Sequence, residues 1–132
     1  MTLAINAAIS GFSAATTRIA VSANNIANAQ STQTLDENGN VVNTPYVPEQ
    51  VNQSTQTTGG VSAQVVPINP PTINYADSNN AAANASGVTQ FPNVDTADQL
   101  VQAQTATYDA QGNLSVLKVQ GDLFQSLLNI IA

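Results

Sequence analysis

The chain has 132 residues and a formal net charge of −6, with 42% hydrophobic, 5% aromatic and 8% charged residues. Its two basic residues cannot neutralise a row of phosphates, which excludes nucleic acid as a partner. Histidine and cysteine are absent, so the side chains that most often act as general bases, nucleophiles and transition-metal ligands are missing. We therefore predict that the protein is not an enzyme and has no catalytic residues, cofactor-binding residues or metal ligands.

The first predicted element is a helix over residues 3–28, for which Thr2 is the predicted N-cap. Along it, apolar residues recur at alternating steps of four and three, the spacing of a coiled-coil stripe. We assign the large members of this stripe to an assembly interface: Ile5, Ile9, Phe12, Ile19 and Ile26. Gly11 lies beside several alanines and predicts a surface that another backbone approaches closely.

The middle of the chain, residues 31–94, is rich in Asn, Gln, Thr and Pro. Asn38-Gly39 between apolar residues predicts a hairpin turn. Residues 61–66 alternate in polarity and predict a short strand, and the prolines that follow end its pairing. Residues 77–87 predict an exposed loop. We expect a few short strands joined by long extended stretches.

A second helix is predicted from residue 96 to residue 131, with Asp95 as its N-cap. It contains no proline, and at 1.5 Å per residue it is about 50 Å long. Gly112 and Asn113 form its predicted weak point, where a bend or a break is most expected. Apolar residues again recur at steps of three and four, and those assigned to the assembly interface are Leu100, Leu114, Leu117, Phe124, Leu128 and Ile131.

Two polar clusters have structural interpretations that outweigh functional ones. Asn24, Asn25 and Asn28 are predicted to cap the end of the first helix and to bond backbone groups there, in preference to forming an amide-lined site. Asp95 and Asp98 lie in the first turn of the second helix, where capping is expected, in preference to acid–base chemistry.

These elements predict a mainly α fold in three segments: an N-terminal axial helix (1–30), a central extended or small β segment (31–94) and a C-terminal axial helix (95–132). The two long helices are expected to pair as an antiparallel coiled coil. The middle offers few large apolar residues to cover them. Packing between subunits is therefore favoured over a monomeric helical bundle.

The sequence predicts no membrane-spanning segment, because no apolar run approaches the ~18–20 residues that a bilayer requires. The first residues lack the basic cluster and the continuous apolar stretch of a secretory signal. We expect a protein that is either cytosolic or exported by a route that needs no cleaved signal.

Residues 22–29, Ser-Ala-Asn-Asn-Ile-Ala-Asn-Ala, resemble the signature near the N-terminus of bacterial flagellar rod and hook proteins. The residues assigned to this family motif are Ala23, Asn24, Asn25, Ile26, Ala27 and Asn28. A second match, Phe-Pro-Asn-Val-Asp at 91–95, resembles the entry into the C-terminal helix of the same family. Gly-Gly-Val at 59–61 and the chain length are similar to the proximal rod proteins, so the resemblance covers nearly the whole chain.

The resemblance implies a structural subunit of the flagellar basal-body rod, which polymerises through its terminal helices and transmits torque. It implies assembly with itself and with other rod proteins, export by the flagellar type III apparatus without a cleaved signal peptide, and a periplasmic location. The alternative is a small secreted or surface binding module, an adhesin-like β domain flanked by helices. Asn- and Thr-rich composition favours that module, whereas heptads at both ends favour the rod. A carboxylate-based hydrolase is a distant third.

Overall fold

Two long helices, α1 (Thr2–Asn28) and α2 (Thr96–Ile131), frame the fold. The computed structural model describes residues 2–32, 34–35, 41–57 and 59–131. The strands between the helices are β1 (Thr34–Leu35), β2 (Val41–Asn43), β3 (Glu49–Thr55), β4 (Val61–Pro67), β5 (Thr72–Ala76) and β6 (Val88–Pro92). The predicted mainly α fold with a small central β segment is confirmed. None of the described helices is long and apolar enough to cross a membrane.

The two helices pack against each other along an antiparallel seam. Three contacts across the seam fix the direction, since they join Asn25 to Gln99, Arg18 to Asp109 and Gly11 to Asn113. Small side chains occupy its centre, where Ala8 and Ala15 of α1 and Ala106 and Ala110 of α2 are buried. The antiparallel pairing predicted for the helices is confirmed, and alanine lets their backbones approach closely.

The six strands form three separate antiparallel hairpins, β1–β2, β3–β4 and β5–β6. The hairpin β3–β4 is paired from Glu49↔Pro67 to Thr55↔Val61 and packs along α1. Its tip is tied to the helix, because the Val61 N–H donates to the Ser10 hydroxyl at 3.1 Å. Gly60 adopts φ +94° directly against that hydroxyl, where a Cβ atom would collide with Ser10. The strand predicted over residues 61–66 is confirmed.

Two predictions for the central segment have different outcomes. The strands on either side of Asn38-Gly39 pair in antiparallel fashion, as expected for a hairpin. The turn residues themselves lie outside the described residues. Residues 77–87 form the predicted loop between β5 and β6, although Ala82 within it is buried. Asn84 holds that loop together, since its side-chain oxygen accepts from the Ser86 and Val88 N–H groups at 3.0 Å each.

The helix ends agree with the sequence predictions to within one residue. α1 already includes Thr2, which was predicted to precede it. Asp95 caps α2 as expected, because its Oδ1 accepts from the N–H groups of Ala97 and Asp98 at 2.9 and 3.1 Å. The predicted weak point at Gly112 does not break α2, which continues to Ile131.

Gly11 and Gly112 differ in what surrounds them, which predicts different effects of the same substitution. A Cβ at Gly112 would meet no atom within 4 Å, whereas one at Gly11 would lie 2.6 Å from Asn113 Oδ1. The close neighbour of Gly11 is therefore a side chain and not the backbone that was predicted. We expect Gly112→Ala to raise the free energy of unfolding by about 0.5–1 kcal/mol through helix propensity. Gly11→Ala should gain less, since Asn113 must move. Urea unfolding of the two variants checks this, and equal gains would contradict it.

Candidate assembly surface

The hairpin β3–β4 packs against α1 on one side of the helix pair and leaves the opposite side uncovered. On α1, Ser10 faces the hairpin, and the 3.6-residue repeat places Phe12 and Ile19 on the opposite side of the helix. On α2, Asp109 and Gly112 line a cavity together with residues of the hairpin, so these positions face it. The same repeat then places residues 100, 107 and 114 on the far side of α2.

We call this uncovered side the open face, and it is formed by Ile5, Ile9, Phe12, Ile19, Ile26, Leu100 and Leu114. Ile9, Leu100 and Leu114 are 52%, 62% and 48% exposed, respectively. Ile26 is also exposed, whereas Ile5, Phe12 and Ile19 are half-buried at the edge of the seam. Seven of the residues predicted from the two stripes therefore share one face of the folded chain.

The remaining predicted residues lie elsewhere on α2. Leu117 is half-buried, and its spacing from Ala106 and Ala110 places it on the seam with α1. Phe124, Leu128 and Ile131 lie in the last part of α2. If the antiparallel pairing of the seam is continued along the helices, this part extends beyond Leu3, near the start of α1. All three are exposed, Ile131 to 84%.

A second exposed apolar stripe on α2 was missed by the sequence analysis. Its members are large, apolar and exposed on the hairpin side of the helix: Val101, Tyr108, Val116, Val119, Leu123, Leu127 and Ile130. Most consecutive members of this stripe are three, four or seven residues apart, which is the spacing of one helix face. The spacing alone therefore indicates a second apolar face on α2. α2 is consequently apolar on both flanks of the seam, and most of all in its last third.

Asn25 joins three elements and does not cap the helix end, which corrects the prediction for this residue. It is fully buried, at 0% exposed. Its Nδ2 donates to the Glu49 carbonyl at 2.7 Å and to Gln99 Oε1 at 2.9 Å. Its Oδ1 accepts from the Glu49 N–H at 3.0 Å and from the Tyr46 hydroxyl at 3.1 Å. Every donor and acceptor site of the amide is therefore used.

The other members of the family motif are mostly at the surface. Ala23, Asn24, Ile26 and Ala27 are exposed. Asn28 is half-buried, and its Nδ2 donates to the Asn24 carbonyl at 2.9 Å, which is the local backbone bonding that was predicted.

Tyr46 gives the Asn25 network a dependence on pH. Burial, and then the negative charge of Glu49, raise the pKa of the Tyr46 hydroxyl above its ordinary value of 10.0. The unfolded chain therefore loses this proton at lower pH than the folded chain does. The stabilisation is complete below pH 10 and is lost as pH rises through the pKa of the folded state.

We expect the free energy of unfolding to fall more steeply as pH rises above about 10 in the parent protein than in Tyr46→Phe. The comparison isolates Tyr46 from the other groups that titrate in this range. Denaturant unfolding over the pH series measures both slopes. Parallel curves for the two proteins would contradict the assignment.

The acidic residues at the start of α2 are used structurally. Asp95 caps the helix, and the Asp98 carboxylate accepts from Gln102 Nε2 at 2.7 Å. Within the described residues, no group of three His, Cys, Asp or Glu side chains is placed to hold a metal ion. What the fold does present is apolar surface at the open face and at the end of α2, and burying such surface drives protein association.

Comparison with known proteins gives relatives along almost the entire chain. The chain is 33% identical over 127 residues to the flagellar basal-body rod protein FlgC of Yersinia enterocolitica, with 92% of this chain and 90% of the relative covered. It is 31% identical over 123 residues to the FlgC proteins of Salmonella typhimurium and Salmonella typhi, with the same shares covered. No model of a protein family matches the chain.

Proposed function

The chain belongs to the family of flagellar basal-body rod proteins, and from this premise we propose that it is a structural subunit of the rod. It polymerises through its two terminal helices and forms part of the axial shaft that transmits torque. The observation that carries the proposal is the open face, on which Ile9, Leu100 and Leu114 remain about half exposed or more. A chain that worked as a monomer would be expected to cover such residues.

The way the helices pair supports polymerisation. The seam between α1 and α2 uses small residues such as Ala15 and Ala106, which are buried. Of the large apolar residues in the two stripes, Leu117 lies on the seam, whereas Ile9, Leu100 and Leu114 stay exposed outside it and are free for neighbouring subunits. Each leucine that a neighbour covers contributes about 1–2 kcal/mol, because only the exposed half of its side chain remains to be buried, and the contact recurs at every subunit.

Partners, export and location follow from the same premise. The subunit assembles with further copies of itself and with other rod proteins in the basal body. It leaves the cytoplasm through the flagellar type III apparatus without cleavage of a signal peptide and takes its place in the periplasmic rod. A low content of charged residues, 8%, suits an unfolded chain that passes through a narrow channel. The polymer needs no catalytic group, so the protein is not an enzyme.

The direct test is to locate the protein. Immunogold labelling of detergent-extracted basal bodies should place it on the rod, and deletion of its gene should leave rods incomplete and cells non-motile. Mass spectrometry of the exported protein should find an intact N-terminus. Complete rods in the deletion strain would overturn the proposal.

A further inference from the structure

The last turns of α2 continue its seam face past the start of α1. Ala110, Leu117, Phe124 and Ile131 follow one another at intervals of seven residues and therefore share one face of the helix. Ala110 is buried and Leu117 is half-buried, whereas Phe124 and Ile131 are 44% and 84% exposed. We call residues 123–131 the helix end. It carries a packing face that the described residues of the same copy leave uncovered.

The helix end is most exposed at its tip. Leu128 and Ile130 are 67% and 80% exposed, which is more than Phe124 and Leu127 at 44% each. The helical repeat places the polar Gln125 on the side opposite Leu127, so the apolar side chains share one broad face. Burying such a face drives protein association. The surface that needs a partner is therefore the extreme end of the helix pair.

An aromatic recess, which we call the socket, lies beside the other end of the helix pair. It has a volume of about 560 Å³, whereas a cavity of roughly 150 Å³ already holds a benzene molecule, so several apolar side chains fit. In its wall, Tyr75 and Phe91 meet edge to face with ring centroids 5.8 Å apart, and Tyr75 is 57% exposed. The other lining residues named here are Ile73, Pro92 and Val94 of the hairpin side, and Gln30 and Thr96 at the helix termini.

The helix end and the socket cannot meet within one copy of the chain. Thr96 at the socket and Leu123 at the start of the helix end belong to the same unbroken helix. The rise of 1.5 Å per residue places them about 40 Å apart, at opposite ends of that helix. Copies that follow one another along the helix axis, in contrast, bring the helix end of one copy to the socket of the next.

The two surfaces are compatible in charge and in chemistry. Among the described residues that line the socket, Asp77 is the one that carries a charge, and its Oδ2 accepts from Asn80 Nδ2 at 3.4 Å. The helix end contains no charged side chain, so its entry places no like charge against Asp77. Its leucine and isoleucine side chains supply apolar partners for the aromatic rings of Tyr75 and Phe91, which bury large areas on contact.

We propose that the helix end of one copy inserts into the socket of a second copy of this chain. Because the two surfaces differ and lie at opposite ends, the contact is heterologous and repeats along the axis without closing. This inference rests on the proposed function and deepens it, since it names the contact that joins successive subunits along the shaft. The open face is a separate surface and remains for lateral neighbours.

A photoreactive side chain in the socket tests the contact. Tyr75→p-benzoylphenylalanine keeps an aromatic ring at an exposed position, and Tyr108→p-benzoylphenylalanine, at a tyrosine that is 63% exposed on α2, is the matched control. The variants replace the natural protein in cells, and isolated rods are irradiated and digested with trypsin. The two basic residues are Arg18 and Lys118, so the socket lies in peptide 19–118 and the helix end in peptide 119–132.

We expect the Tyr75 variant to give a dimer in which peptide 19–118 is joined to residues 123–131 of the other copy, and the Tyr108 variant to give no such product. The same probe at Gln30, an exposed residue of the socket, repeats the test from the end of α1. Adding Ile130→Gln/Ile131→Gln to the Tyr75 variant should lower the dimer yield about tenfold or more, because these side chains are no longer buried. Val119→Gln, on the same helix, should leave the yield unchanged.

The outcomes separate this contact from the rod function. Cross-links from both socket positions to another part of the chain or to a different protein, or rods that contain the protein but yield no cross-link, would overturn the inference and leave the rod function intact. A product with residues 123–131 from the Tyr108 variant alone would also overturn it. Rods that lack the protein would instead overturn the proposed function.

Discussion

Replacing Leu100 and Leu114 together by glutamine is expected to abolish swimming while leaving the fold of the subunit unchanged. The two side chains are 62% and 48% exposed in the single chain, so their replacement should change the free energy of unfolding by no more than about 0.5 kcal/mol each. In the assembled rod each leucine is proposed to be buried by a neighbour. The loss there is about 1–2 kcal/mol per leucine, because a neighbour buries only the half of each side chain that the single chain leaves exposed, and it recurs at every subunit.

Three measurements separate this effect from misfolding. Thermal unfolding of the purified variant should match that of the parent protein, the exported amount should be normal, and electron microscopy should show incomplete rods. Val47→Gln is the control, because Val47 is 48% exposed but precedes β3 by two residues and is not part of the open face. Cells with this control should swim. Normal swimming of the Leu100→Gln/Leu114→Gln strain would show that the open face is not an assembly surface.

The elements that could be predicted from the sequence are those with a local cause. The heptad spacing of large apolar residues predicted the bounds of both helices to within one residue. Asp95 caps α2 through N–H groups only two and three residues away. The strand over residues 61–66 follows from alternation of polarity in the same way. In each case the residues that decide the structure are neighbours in the chain.

The seam between the helices was harder to predict. The prediction rested on the large apolar residues of each stripe. The helices instead meet mainly through four buried alanines, Ala8, Ala15, Ala106 and Ala110. Alanine carries a weak hydrophobic signal, so a pattern of large residues does not identify an alanine seam. Only Leu117 of the predicted interface lies on it. The second stripe on α2 was missed for a related reason, because one helix can carry apolar residues in two phases at once.

Asn25 could not be predicted because its partners are distant in sequence. Glu49 and Gln99 lie 24 and 74 residues further along the chain. An asparagine near the end of a helix is most often a local cap, and nothing in the motif itself distinguishes Asn25 from the exposed Asn24. The fold makes the distinction by placing β3 and α2 on either side of Asn25.

Asn25→Ala is accordingly expected to destabilise the subunit by roughly 2–4 kcal/mol. The substitution removes the amide that bonds to the Glu49 N–H, the Glu49 carbonyl and Gln99 Oε1. A buried polar group that loses its partner costs about 1–3 kcal/mol before the structure relaxes. Since the amide joins α1 to β3 and α2, the loss loosens the hairpin and the seam together. Urea unfolding followed by circular dichroism measures the change.

Asn24→Ala is the matched control, one residue away on the same helix but exposed. It should change the free energy of unfolding by no more than about 0.5 kcal/mol. Asn25→Asp keeps the shape of the side chain but replaces two donors by a carboxylate that faces the Glu49 carbonyl and Gln99 Oε1, so it should be at least as harmful as alanine. If Asn25→Ala were as stable as Asn24→Ala, the amide would be dispensable, and the position of the hairpin would have to depend on Ser10 and the packing along α1 alone.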